Sequence, residues 1–161
     1  MIPTIDPNNH ADSPIEALSP DISIQWLNGG RIVMTRIMVV RPDTYDQWDQ
    51  QMRQWMAAWP TDRLFCILYD FRSPRYRFTL HAGTRMRQLQ RDYGHVPYAA
   101  AIVYSDSVLA RPVIATLRLI KDSALSYREY FTDYDKAMQW LNMHYQTAQA
   151  AIDHTAIAAS A

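Results

Sequence analysis

Arginines crowd one segment of the chain and supply its clearest candidate for chemistry: Arg72, Arg75, Arg77, Arg85, Arg87 and Arg91. No Asp or Glu interrupts the segment before Asp92. Guanidinium groups make planar, bidentate contacts with carboxylates and phosphates. The segment therefore predicts a surface that binds an anionic group, and we take the first four of these arginines as its candidate binding residues.

Two further residues belong to this candidate site. Asp70 ends the apolar stretch Leu64–Asp70, a position where α/β proteins often carry ligand-contacting side chains. A turn-forming Asp bonded to loop amides explains Asp70 equally well. Thr79 suits the N-cap of the following helix, where the helix dipole and free backbone N–H groups would add to the attraction for an anion.

The same arginines also fit a solvated basic face that pairs with the chain's own carboxylates. The first predicted helix supplies three of these: Asp43, Asp46 and Asp49. The formal net charge of the chain is zero, which argues against bulk nucleic-acid binding and leaves room for a local anionic partner. The anion-binding surface and the solvated basic face both stay open as interpretations. We expect no nucleic-acid partner.

Other reactive sites find no support in the sequence. The five histidines show no metal-ligand spacing, and no glycine pattern of a nucleotide-binding loop occurs. Cys66 lies alone inside an apolar stretch, which is typical of a small buried hydrophobe. We therefore predict no catalytic residue, no metal and no cofactor, and a protein that binds its target without transforming it.

The chain before the arginines predicts a β-hairpin followed by a helix. Residues 22–27 alternate as a half-buried strand does, Asn28-Gly29-Gly30 supplies the positive φ angles of a tight turn, and residues 31–40 form the return strand. The helix opens with Asp43 or Thr44 as N-cap, and Trp, Tyr and Met residues recur along it at helical spacing. This apolar arc is wider than one sheet contact needs, so we expect part of it to pack against another chain.

Helices and strands alternate after the hairpin. Two apolar segments, residues 64–71 and 98–104, predict buried strands, and residues 127–131 are short enough for an edge strand. Helices begin near Thr79, near Ser105 or Asp106, and after Asp133, which suits an N-cap. The order predicts one α/β domain with a mixed, mostly parallel sheet and packed helices. We assign residues 21–147 to this domain, 1–20 to a flexible arm, and 148–161 to an Ala-rich tail or helix extension.

Three stretches resemble the STAS-like domain of SpoIIAA-like proteins, the anti-sigma-factor antagonists. They are the opening hairpin, the Leu64–Asp70 strand that runs into a helix capped near Thr79, and Phe131–Leu141. The resemblance implies a STAS-like fold over roughly residues 22–146. In the antagonists, a Ser or Thr at this helix start is phosphorylated, which implies Thr79 as phospho-acceptor. The family's Asp-Ser-x-Gly pattern is replaced here by Phe-Thr-Leu-His.

Our leading hypothesis is a cytoplasmic STAS-like regulatory protein that engages a protein partner or an anionic ligand through the arginine segment. One alternative is a carrier of a small apolar or lipid-like ligand, since relatives of the same fold include lipid-binding domains. Another is a structural subunit of a larger complex. No run approaches the roughly 18 apolar residues of a membrane span, and the N-terminus lacks the basic-then-apolar order of a signal peptide.

Overall fold

A computed structural model of the protein describes residues 11–39, 41–60, 62–76, 79–107, 110–118 and 126–159. These residues form an α/β domain built on a six-stranded mixed sheet, which confirms the predicted fold class. Its elements in chain order are β1 (Glu16–Ser19), β2 (Ile22–Leu27), β3 (Ile32–Ile37), α1 (Pro42–Ala58), β4 (Phe65–Phe71), α2 (Leu80–Tyr93), β5 (Tyr98–Tyr104), α3 (Ala110–Arg118), β6 (Ser126–Phe131) and α4 (Tyr134–Ala159).

The strands lie side by side in the order in which they occur along the chain. β1, β2 and β3 pair antiparallel, whereas β3, β4, β5 and β6 pair parallel. The predicted hairpin between β2 and β3 is confirmed. Its turn residues Asn28, Gly29 and Gly30 have φ angles of 50°, 65° and 86°, a region that glycine enters without steric cost and Asn tolerates.

Two apolar clusters cover the two faces of the sheet. Alternation along β4 sends Phe65, Ile67 and Tyr69 towards α1 and α2, whereas Cys66 and Leu68 face α4. Every residue of β4 is buried, as the predicted strand covered on both faces requires. We refer below to the α1/α2 face and the α4 face of the sheet.

The aromatic and methionine side chains of α1 belong to the core of this same chain. Those that the sequence places at helical spacing are all buried: Tyr45, Trp48, Met52, Trp55, Met56 and Trp59. They pack with β2 to β5 on the α1/α2 face, and Trp26 of β2 lies between Trp55 and Trp59 at ring-centroid distances of 5.5 and 6.3 Å. The expectation that part of this arc packs against another chain is therefore wrong.

The ends of several elements differ from the prediction. The N-cap of α1 is Arg41, not Asp43 or Thr44, because Pro42 takes the first helical position, where its fixed φ suits the helix and no N–H is needed. α3 is described over Ala110–Arg118, and neither Ser105 nor Asp106 is helical; residues 108–109 lie outside the described part of the chain. Asp133 caps α4 as predicted, since its Oδ1 accepts hydrogen bonds from two backbone N–H groups of the first turn.

Both predicted terminal segments contain regular structure. The arm was predicted to be flexible over residues 1–20, which is wrong for β1, because Glu16 and Ala17 pair with Ile24 and Ser23 of β2. Residues 1–10 lie outside the described part of the chain. At the other end, α4 continues through the Ala-rich stretch to Ala159, so the helix extension is the correct alternative there, as the high helix propensity of Ala favours. Among the helices that the structure describes, none has an apolar stretch of the length that a membrane span requires.

Candidate functional site

Asp70 lies at the carboxyl end of β4 and holds two arginines. Its Oδ2 accepts a hydrogen bond from Arg36 Nε at 2.9 Å and another from Arg72 Nη2 at 2.9 Å. Its Oδ1 accepts one from Arg72 Nε at 2.9 Å. Arg72 thus binds the carboxylate in the bidentate mode, and Arg36 shares one of its oxygens. We call Arg36, Asp70 and Arg72 the edge cluster.

The sheet register and a local turn assemble this cluster. Arg36 stands directly opposite Asp70 in the parallel pairing of β3 with β4. Both residues follow the alternation of Met34 and Leu68 and therefore lie on the α4 face. Arg72 is brought back by a turn in which its own backbone N–H donates to Asp70 Oδ1 at 3.2 Å. The turn-forming interpretation of Asp70 is therefore confirmed.

Burial differs sharply within the edge cluster. The side chain of Asp70 is 3% exposed, whereas those of Arg36 and Arg72 are 38% and 42% exposed. Burial alone raises the pKa of Asp70, but the hydrogen bonds from Arg72 and Arg36 outweigh it and lower that pKa to about 2. Asp70 is therefore ionised at neutral pH. The hydrogen bond to Asp70 also raises the pKa of Arg72, so both partners keep their charge.

The cluster carries an excess of positive charge and unused hydrogen-bond donors. Two guanidinium groups face one carboxylate, and neither forms an ion pair with another carboxylate of the described chain. Among the described residues, Arg36 donates through Nε alone and Arg72 through Nε and Nη2, so each guanidinium has N–H donors that no described residue accepts. The ring of Tyr134, at the start of α4, lies 5.4 Å from the Arg72 guanidinium and supports it from one side. The arrangement suits an oxyanion that approaches from solvent.

The remaining predicted arginines do not all join this cluster. Arg75 lies in the loop after β4 and is exposed, and its side chain forms no ion pair within the described residues. Arg77 lies outside the described residues. Arg85 belongs to α2 on the other face of the sheet, where its Nε donates to Asp46 Oδ1 of α1 at 2.9 Å. The arginine segment is therefore split between two surfaces.

Asp46 organises a second charged group, which joins two helices. His81 Nε2 of α2 lies 2.9 Å from Asp46 Oδ1, the oxygen that also receives the Arg85 hydrogen bond. The hydrogen bond with His81 is the largest of the effects that lower the pKa of Asp46. We call Asp46, His81 and Arg85 the helix cluster. For Arg85, the interpretation as a basic residue paired with a first-helix carboxylate is the correct one.

Thr79 is the N-cap of α2, as predicted. Its backbone is extended, with φ −120° and ψ 158°, and its Oγ1 accepts a hydrogen bond from the backbone N–H of Ala82 at 3.1 Å. This satisfies one of the N–H groups that a helix start leaves without a partner. The role of Thr79 as phospho-acceptor stays a prediction.

Arg36 is the member of the edge cluster that the sequence did not predict. It lies 34 positions before Asp70 and outside the arginine segment, and only the parallel register joins the two. A signal was present, because the alternation of the return strand places an arginine on the same face as Met34. A charged residue on the inner face of a strand indicates a buried partner.

A scan against models of known protein families, a search of curated proteins and a search of solved structures each return no match to the chain. The resemblance to STAS-like domains stays a prediction. Within the described ranges, no group of three or more His, Cys, Asp or Glu residues is placed to hold a metal ion.

Proposed function

We propose that this chain is a binding protein that recognises an anionic group, a carboxylate or a phosphate, on a protein partner or ligand. The contact residues are Arg36 and Arg72 of the edge cluster, and the exposed Arg75 belongs to the same loop as Arg72. One observation carries the proposal: a buried carboxylate holds two half-exposed guanidinium groups side by side, and both retain N–H donors.

Pre-organisation gives this arrangement its binding capacity. Two neighbouring cations repel each other, and folding has already overcome that repulsion through Asp70. Because the hydrogen bonds to Asp70 also orient both guanidinium planes, an incoming anion restricts fewer side-chain rotamers than it would at free surface arginines. The anion would also neutralise the excess positive charge of the cluster.

The protonation states favour binding over catalysis. The pKa of Asp70 is about 2, which makes its carboxylate a weak base at neutral pH. The pKa of Arg72 is raised further above its usual range, so this guanidinium gives up no proton. A cluster of permanently charged groups recognises a ligand more readily than it transfers protons. We therefore infer a regulatory or assembly role that is exercised by contact, in line with the resemblance to the antagonists.

The test is a titration with two simple anions at low ionic strength. Inorganic phosphate and glutarate represent the two candidate chemistries, and the Nε–H resonances of Arg36 and Arg72 report on binding by NMR. We expect both resonances to shift in a saturable way with at least one anion. Arg36→Gln should abolish the saturable response without unfolding the protein, because Asp70 keeps its bidentate bond to Arg72.

Arg87→Gln is the matched control. Arg87 is an exposed arginine of the same sequence segment, and its guanidinium contacts only the hydroxyl of Thr84 on its own helix among the described residues. Loss of binding in Arg36→Gln and its retention in Arg87→Gln support the proposal. Equal weakening in both variants would mean that general positive charge attracts the anion, and the edge cluster would then have no special role.

A further inference from the structure

A cavity lies on the α1/α2 face of the sheet, away from the edge cluster. Trp48 and Met56 of α1, Met86 of α2, and Tyr98 and Ala100 of β5 contribute to its wall. Its volume is about 30 Å³, which exceeds the roughly 10–15 Å³ that one water molecule requires. Most of the wall is apolar, so the few polar groups on it determine what the cavity accepts.

The first of these polar groups is the indole of Trp48. The residue is 1% exposed, and its Nε1–H is buried without a hydrogen-bond acceptor among the residues that the structure describes. A buried N–H group that has lost water and gained no partner costs folding free energy. An acceptor atom within hydrogen-bond distance of this N–H would remove that cost.

The second polar group is the hydroxyl of Tyr98. Its oxygen accepts a hydrogen bond from Gln90 Nε2 at 3.0 Å and one from Arg128 Nη2 at 3.2 Å. Both lone pairs of the oxygen are thus engaged, and the O–H hydrogen is left to donate. The structure shows no hydrogen bond donated by this O–H to another described residue. Trp48 of α1 and Tyr98 of β5 thus each bring a donor group to the lining of the cavity, to which Gln90 and Arg128 also contribute.

We propose that this cavity binds a small, uncharged and mainly apolar molecule that carries one hydrogen-bond acceptor, such as a ketone, ester or ether oxygen. The Trp48 N–H and the Tyr98 O–H would donate to that oxygen, and the apolar wall would enclose the rest. Met56 and Met86 set the size limit. A small ring needs more room than about 30 Å³, so these two side chains would have to move aside, which the flexibility of an unbranched thioether favours.

The test uses the intact protein and the indole N–H resonances of its tryptophans. Cyclohexanone is the acceptor-bearing probe, and toluene is a probe of similar size that has no acceptor oxygen. We expect cyclohexanone to shift the Trp48 Nε1–H resonance downfield, as hydrogen bonding does, and toluene to leave it without a downfield shift. Trp55 is the internal control, since its buried Nε1 also has no acceptor among the described residues but its indole does not line the cavity.

Two variants make the result specific. Ala100→Leu fills the cavity from the sheet side and should abolish the Trp48 shift. Tyr98→Phe removes only one oxygen and should weaken the response to cyclohexanone at least several-fold, so this variant decides the question if Ala100→Leu does not fold. An unchanged Trp48 resonance at the solubility limit of cyclohexanone, or an equal shift of Trp55, would overturn the proposal. Arg36→Gln should have no effect, because the edge cluster lies on the other face.

Discussion

The edge cluster and the helix cluster are built from the same chemistry and differ in burial. Each has one carboxylate between two cationic or potentially cationic side chains, with contacts of 2.9 Å. The carboxylate side chain of Asp70 is 3% exposed, and that of Asp46 is 44% exposed. Water can therefore replace either partner of Asp46. It reaches Asp70 only if the structure changes at the carboxyl end of β4.

This difference in burial makes the edge cluster a rigid arrangement and leaves the helix cluster a surface contact. A buried carboxylate that loses its partners becomes an unpaired charge in a poorly solvated site, so Asp70 holds its arginines in place. An exposed pair gains little free energy, since solvent and salt compete for both charges. The helix cluster thus joins α1 to α2 weakly, whereas Asp70 holds the two guanidinium groups of the edge cluster at the carboxyl end of β4.

Removal of each carboxylate charge in turn should produce the largest difference in stability between the two clusters. In Asp70→Asn, two neighbouring guanidinium groups lose their shared counter-charge, and we expect a loss of about 2–4 kcal/mol in the free energy of unfolding. This lies somewhat below the usual cost of breaking a fully buried pair because both arginines are half-exposed. Asp46→Asn should cost less than about 1 kcal/mol. Urea unfolding of both variants measures the difference, and equal losses would contradict the role assigned to burial.

Acid titration should separate the two carboxylates next. The pKa of Asp70 is about 2 in the folded protein, below the value of about 3.9 for an unfolded Asp. Its stabilising contribution is therefore present above about pH 4 and is lost as the pH falls towards 2, a change of about 2–3 kcal/mol.

Asp70→Asn should flatten the dependence of unfolding free energy on pH across that interval, and Asp46→Asn should leave most of it. The pKa of Asp46 is lowered in the same direction, but solvent screens its interactions. If Asp46→Asn flattened the curve more than Asp70→Asn, the assignment of the acid sensitivity to the edge cluster would be wrong.

Replacement of arginine by lysine tests geometry at constant charge. Arg72→Lys keeps the cation but cannot reproduce the bidentate bond to Asp70, so we expect a loss of about 1 kcal/mol. Arg85→Lys should be close to neutral, because Arg85 contacts Asp46 through Nε alone and the pair is exposed. Thermal unfolding of the two variants side by side measures this. Identical behaviour would mean that the fork geometry of Arg72 contributes nothing.

The sequence predicts the scaffold of the site better than its contacts, for a physical reason. Local patterns determine the hairpin turn at Asn28, the N-caps Thr79 and Asp133, and the buried strand that ends at Asp70. The bond between Asp70 and Arg72 spans only two residues and was within reach of the same reasoning. β1 was missed because four residues without a clear apolar alternation form a strand only through their pairing with β2.

Long-range pairs depend on register and helix packing, which local patterns do not encode. Arg36 meets Asp70 across 34 residues through a parallel strand pair, and His81 meets Asp46 across 35 residues through the contact of α1 with α2. The first helix was named among the possible acidic partners of the arginines, but nothing in the sequence selects Asp46 over Asp43. That choice follows from the rotation of α1 about its axis once its aromatic face is buried.

An increase in salt concentration should produce the smallest change in unfolding free energy, and this change should differ clearly between the two clusters. The Debye length falls to about 3 Å in 1 M salt, so the exposed helix cluster should lose its contribution of less than about 1 kcal/mol. The unfolding free energy of Asp46→Asn should then equal that of the wild type. Asp70→Asn should keep most of its loss of unfolding free energy relative to the wild type, because salt ions do not reach the wild-type carboxylate, which is 3% exposed.

Unfolding curves of the three proteins in low and high NaCl measure both differences. NaCl is used rather than a guanidinium salt because it avoids direct competition with the arginines. If high salt also restored Asp70→Asn, the guanidinium groups of Arg36 and Arg72 would be more mobile than a fixed binding surface requires.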